Sequence, residues 1–438
     1  MHTEHSTIAP LRAIPRRAET AATIAPANPL ETIARSDSAS SLDLLWQGRL
    51  KERFELQDGA RQILCKGQTE EGKMPFRRLF GCERLPHGSK EGAEPRIKGY
   101  YVLRTGRSYR TGLQHCGSKA VCAPCSGRDY DLAKVEIAAA LEQHRAAGKK
   151  ALMISLTGSH HHPALADFKT AFKAALRGLY GGRAFEEFKA RFGFIGCITA
   201  VEVTWSPENG WHFHVHILWF LDELQPADVR QIRRYVDERW RAQLRRHGLS
   251  GSRRRATDVK DSSFTADDYL AKFEHARRWD ADAELTMNQR KHGKRRGLSV
   301  WDLLRVAGGT LENAPISAEK AEALFREYGH ATAGDHMLYW SPGLREHFAL
   351  LAAAADDEPA GDDPDEHEAE VDETEGQADG VLISDLAPDA WRVVVGNAAR
   401  AELAIVEASG DPAAVKAFLE ALGVRCMLLG AVVMADGT

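Results

Sequence analysis

Apolar residues recur with a two-residue period in two neighbouring stretches, 195–204 and 211–220, divided by Ser206-Pro207-Glu208-Asn209-Gly210. Such alternation predicts two half-buried strands, and the Pro and Asn-Gly between them predict a hairpin, so an antiparallel pair is expected. Upstream, 150–157 (KALMISLT) is short and almost continuously apolar, as a buried strand requires. The spacing then turns helical. Residues 131–144 place Leu132, Val135, Ile137, Ala140 and Leu141 three and four positions apart, and 168–192 returns to the same period. Residues 228–246 read as a long basic helix, and 265–278 as a second basic helical region. Strands joined by a hairpin and interspersed with helices predict an α+β fold, a central antiparallel sheet flanked by helices.

The flanks are less regular. Residues 1–43 lack periodicity and carry Pro10, Pro15, Pro26 and Pro29, the composition of a disordered arm. Between 44 and 110 short apolar pieces alternate with charges and suggest small strands and turns, within an N-terminal region taken as 44–130. The central domain spans 131–350. Residues 351–380 read as an acidic linker, because 13 Asp and Glu and no Lys or Arg fall between Asp356 and Asp379. Residues 381–438 read as a small C-terminal α/β unit, with a strand at 391–395 and helices near 398–408 and 412–422.

Composition narrows the partners. A chain of 438 residues, 43% hydrophobic and 27% charged, is ordinary globular material for two or three domains. No apolar run approaches the ~18 residues of a membrane span, and the N-terminus lacks the apolar core of a secretory signal, so a cytoplasmic protein without membrane contact is expected. The net charge of −4 is misleading: with the acidic linker set aside, the rest carries +9. The stretches 230–255 and 277–296 concentrate that charge in Arg233, Arg234, Arg253, Arg254, Arg255, Arg295 and Arg296. Such clusters neutralise phosphates and give salt-sensitive, sequence-independent DNA affinity, although a solvated helix face would have the same composition.

Three histidines alternate within Trp211-His212-Phe213-His214-Val215-His216-Ile217-Leu218, so a strand puts all three imidazoles on one face above Phe213, Val215 and Ile217. Neutral imidazole is a common metal ligand, and three on one face point to a divalent cation. Glu202 on the preceding strand joins them if the hairpin loop has an odd number of residues, which sets Glu202 opposite His214; an even loop sets it opposite Val215. The run His160-His161-His162 reads instead as a solvated loop, since consecutive side chains diverge.

Among seven cysteines, Cys116, Cys122 and Cys125 form a C-x5-C-x2-C pattern whose second half has zinc-knuckle spacing. A structural zinc needs a fourth ligand, for which Cys82 and His115 are available, Cys82 being the better. Thr265-Ala266-Asp267-Asp268 fits a helix capping box and places Tyr269 at the fourth helical position. Tyr269 then either staples against Phe264 or serves as a nucleophile, with Lys272 one turn on to neutralise a phosphate.

Taken in order, CGSKAVCAPC (116–125), ISLTG (154–158), AVEVTWSPENGWHFHVHILWF (200–220), DYLAKF (268–273), LSVWDLL (298–304) and YWSPGLR (339–345) resemble the plasmid rolling-circle replication initiators of the HUH endonuclease superfamily, over roughly residues 80–350. The resemblance implies an HUH-type sheet and a metal-dependent endonuclease and strand transferase. It assigns His214 and His216 to Mg or Mn, with Glu202 as third ligand and His212 as ligand or neighbour. It assigns Tyr269 to the attack on the scissile phosphate and carries the motif's lysine onto Lys272. The implied partners are single-stranded or hairpin origin DNA, with a host helicase and DNA polymerase; no Walker motif is present. Relaxases and single-strand transposases use the same chemistry, and a non-catalytic zinc-containing DNA-binding regulator is the rival from another class. One departure touches termination: Thr265 stands where related initiators place a glutamate, one turn before the tyrosine.

Overall fold

A computed structural model of the chain describes residues 41–67, 74–88, 94–158, 164–222, 224–225, 228–260, 297–350 and 380–424. The central element is the expected hairpin. β4 (Phe194–Ser206) and β5 (Gly210–Leu221) pair antiparallel along their whole length, with Ser206 opposite Gly210 and three residues in the loop. Gly210 closes that loop at φ 69°, a left-handed conformation that glycine reaches without a steric cost. On its other edge β5 pairs with β3 (Lys150–Thr157), which in turn pairs with β6 (Thr257–Lys260). The free edge of β4 takes two short strands, β7 (Leu298–Ser299) and β8 (Leu338–Trp340). The result is a six-stranded antiparallel sheet in the order β6-β3-β5-β4-β7, with β8 also on β4.

The two faces of this sheet are treated differently. On one, Leu152, Ile154 and Leu156 of β3 and Phe213, Val215, Ile217 and Trp219 of β5 are buried beneath the helices Leu165–Leu179, Arg183–Phe192 and Asp228–Arg246. Phe172 and Trp240 meet edge to face there, and Trp240 Nε1 donates to Thr157 O at 2.9 Å. Among the described residues, apolar side chains cover the opposite face over only half its length. Ala133, Ile137, Ala140 and Leu141 of the helix Ala123–Ala146 pack on Met153, Ile198, Leu218 and Phe220. Beyond Leu218 that same face of β5 carries His216, His214 and His212 instead of apolar side chains. The apolar-to-polar change along one strand face fixes where the packing of the helix ends and the site begins.

A second sheet lies outside the first. β1 (Ile97–Val102) pairs with β2 (Arg107–Thr111) and, on its other edge, with β9 (Gly380–Leu386), so the C-terminal unit expected after the acidic stretch shares a sheet with the N-terminal region. Its helices Pro388–Gly396, Arg400–Glu407 and Pro412–Ala421 close a small core with Ile97, Leu113, Trp391 and Phe418. Glu407 is fully buried, forms an ion pair with Arg110 Nη2 at 2.7 Å and accepts from Ser384 Oγ at 2.6 Å. Gly99 lies directly beneath: a Cβ there would sit 2.3 Å from Glu407 Oε1.

Two expectations are corrected. The strand expected at 391–395 is part of the helix Pro388–Gly396. Its β-branched run is overridden by Pro388 in the first turn and by burial of Trp391 and Val394, three apart, which suits a helix face. The region expected as small strands and turns begins with a 24-residue helix, Ser41–Leu64. Leu56, Ala60, Ile63 and Leu64 are its buried apolar positions, a helical spacing hidden among charges.

Candidate metal centres

Register decides the first site. Glu202 stands directly opposite His214 across the β4–β5 ladder, the outcome expected of an odd loop. His214 Nε2 and His216 Nε2 lie 3.0 Å apart, and Glu202 Oε2 is 3.2 Å from His216 Nε2 and 3.5 Å from His214 Nε2. Three potential donor atoms thus converge within 4.8 Å of one another. Burial alone pushes the Glu202 carboxyl up, but the His216 hydrogen bond and the neighbouring imidazoles outweigh it and hold it below the usual carboxylate value. The group is graded in exposure, with the His216 side chain 7% accessible, Glu202 19% and His214 22%. A cation here would be reached from one side, as an open, substrate-accessible centre requires.

The neighbouring strand orients the ligands. Ser155, opposite His216 in the β3–β5 ladder, places its Oγ 2.8 Å from His216 Nδ1. That contact suits an imidazole that donates from Nδ1 and keeps its Nε2 lone pair for coordination. Thr157 Oγ1 is 2.6 Å from His212 Nε2, and the His212 ring stands edge-on to His214 at 5.1 Å. His212 therefore flanks the Glu202–His214–His216 group rather than entering it. Sequence reasoning passed over Ser155 and Thr157, although their two-residue spacing in an otherwise apolar strand marks them as sharing a face.

The second site is closed. Cys82, Cys116, Cys122 and Cys125 are all buried and come together from three segments. Cys82 caps the C-terminus of the short helix Arg77–Gly81, Cys116 sits in the loop after β2, and Cys122 and Cys125 bracket the N-terminus of Ala123–Ala146, with Pro124 in its first turn. The Sγ atoms of the pairs 82–122, 82–125 and 116–125 are each 3.6 Å apart, far beyond a disulfide. Four thiolates at about 2.3 Å from a tetrahedral zinc stand about 3.8 Å from one another, so the donor set fits that ion. His115 is not the fourth ligand: its Nδ1 receives Arg128 Nη2 at 2.8 Å, and Arg128 also holds Glu83 at 3.1 Å.

The basic residues divide. Arg253, Arg254 and Arg255 are exposed, and the loop bearing them ends at Ala256, whose carbonyl accepts from Thr157 N at 3.0 Å. Their loop thus enters the sheet beside Thr157, the residue whose Oγ1 meets His212. Arg233 and Arg234 are also exposed, and Arg233 donates to Val259 O at 2.6 Å and so helps tie its helix to β6. Tyr269, Lys272, Arg295, Arg296 and the run His160–His162 lie outside the described residues. Among the described residues no helix is long and apolar enough to cross a membrane.

No protein-family model matches the chain, and no solved structure matches it. Among curated proteins, it is similar to Protein rep of Streptomyces lividans, 25% identical over 384 residues that cover 72% of this chain and 81% of that protein. It is also similar to a Neomycin resistance protein of Streptomyces cyanogenus, 29% identical over 138 residues that cover 26% of this chain and 32% of that protein.

Proposed function

We propose that the chain initiates DNA replication by nicking one strand at an origin. The observation that carries this reading is the partly accessible Glu202–His214–His216 group on one face of the β4–β5 pair, in a chain that also exposes Arg253–Arg255. Likeness to Protein rep supports a replication-related role and a DNA partner. A divalent cation, Mg or Mn, held by these three residues would polarise a nonbridging phosphate oxygen. The Tyr269 phenol gives its proton to solvent and attacks phosphorus as the phenolate, the bond from phosphorus to the 3′ oxygen breaks, and that oxygen takes a proton from solvent to leave as a free 3′-OH, while the 5′ phosphate stays on tyrosine. Lys272 neutralises the phosphate. The nine residues from Lys260 to Tyr269 can span up to about 30 Å, ample for the two strand spacings, about 10 Å, that separate β6 from β5. Arg234 and Arg253–Arg255 bind the DNA backbone.

The four buried thiols are read as a structural zinc site, in keeping with their closed, all-sulfur geometry. The test incubates the full chain with a single-stranded origin oligonucleotide and Mn. A denaturation-resistant protein–DNA adduct that disappears in Tyr269→Phe supports the proposal. A reversible mobility shift with no adduct overturns it in favour of a non-catalytic DNA-binding regulator.

A further inference from the structure

The thiol cluster has a buried polar neighbour that its sequence neighbourhood does not suggest. Gln57, in the middle of the helix Ser41–Leu64, is fully buried, and its Nε2 donates to Cys122 Sγ at 3.4 Å and to Cys82 O at 3.3 Å. Its amide is oriented from the other side. Arg400 Nη1 donates to Gln57 Oε1 at 2.6 Å, which leaves the Nε2 group facing the sulfur. Arg400 is itself buried, with its guanidinium on the Phe54 ring at 4.5 Å and a further bond to Asp58 Oδ1. It lies 343 residues from Gln57, at the start of the helix Arg400–Glu407 in the C-terminal unit. That unit also grips the other side of Cys82: Trp391 Nε1 donates to Arg84 O at 3.0 Å, two residues along.

An N–H donor aimed at a thiolate stabilises its charge and fixes its direction, and removing such a partner typically costs about 10- to 100-fold in metal affinity. We propose that Arg400 and Gln57 form a relay through which the C-terminal unit positions Cys82 and Cys122, so that metal retention at the four-cysteine site depends on docking of that unit. Gln57 and Arg400 act as positioning residues, and neither is a ligand. The inference rests on the reading of the cysteines as a zinc site, and not on nicking.

Zinc content and zinc release to a chromogenic chelator, measured on the full chain without DNA, test it. Wild type should hold one zinc; if it holds none, the zinc reading and the relay both fall. Gln57→Leu keeps the volume and should weaken retention about tenfold. Arg400→Met should do the same, the double variant should be no worse than either single one, and Arg400→Lys, which can still donate to Gln57, should recover part of the loss. Cobalt substitution adds a readout that packing alone would not move: the sulfur-to-metal charge-transfer band should shift in Gln57→Leu while the fold, followed by circular dichroism, persists. A stoichiometric wild type whose variants release zinc at an unchanged rate, or single effects that add in the double variant, would overturn the relay and leave the zinc site standing.

Discussion

The two groups of metal-ligating residues are built on opposite plans. The cysteine site draws its donors from helix ends and a loop, buries all four, and surrounds them with Gln57 and, one bond further out, Arg400. The histidine site draws its donors from one face of two paired strands, where among the described residues the packing of the helix Ala123–Ala146 has ended. Closure suits a metal whose free energy of binding is spent on folding; one open side suits a metal that must meet a substrate. A strand pair also offers what a loop cannot, a spacing between donors fixed by the hydrogen-bond ladder itself.

The contrast predicts opposite responses to mutation. The largest effect is expected for Cys122→Ser, which should remove zinc and lower stability by about 4 kcal/mol or more, measured by metal analysis and denaturant titration. Loss of zinc with unchanged stability would erase the distinction between the sites. His214→Ala should do the reverse: adduct formation with Mn slows about 100-fold or more, while unfolding moves by less than about 1 kcal/mol. A smaller loss follows from Ser155→Ala, which frees His216 to reorient and should weaken Mn binding about tenfold by isothermal titration.

The smallest effect concerns acid. Glu202 titrates below its ordinary value in the folded, metal-free chain, so its contribution to stability is complete above the unfolded value, about 4.3, and is lost as pH falls through the folded one. The stability gap between wild type and Glu202→Gln, about 1 kcal/mol or less, should be constant near neutrality and close only in strong acid. A gap that closed near pH 6 would place the titration elsewhere.

Much of the histidine site was legible in the sequence because a two-residue period is a strong constraint. Once His212, His214 and His216 alternate with buried apolar residues, the shared face follows, and the parity of the loop settles whether Glu202 joins it. Cys82 could be named because a tetrahedral site needs a fourth donor, although it lies 34 residues before Cys116. The helix Ser41–Leu64 stayed hidden, since its apolar stripe is thinned by charges that pair elsewhere, such as Glu52 with Arg305 at 2.7 Å. Nothing local in Val381–Leu386 says that its partner is β1, and nothing around Gln57 or Arg400 says that the two meet. Those are contacts between distant segments, where single-sequence periodicity carries no information.

The pairing of β9 with β1 also has a bearing on how the chain is made. Arg96 and its partner Asp385 are separated by 289 residues, which a ribosome traverses in about 15–60 s at about 5–20 residues per second. Throughout that interval β1 keeps an unpaired edge, open to mispairing with a neighbouring nascent chain. Only synthesis as far as β9 can seal it, so the second sheet closes after the strands and cysteines of both candidate metal sites have already been made.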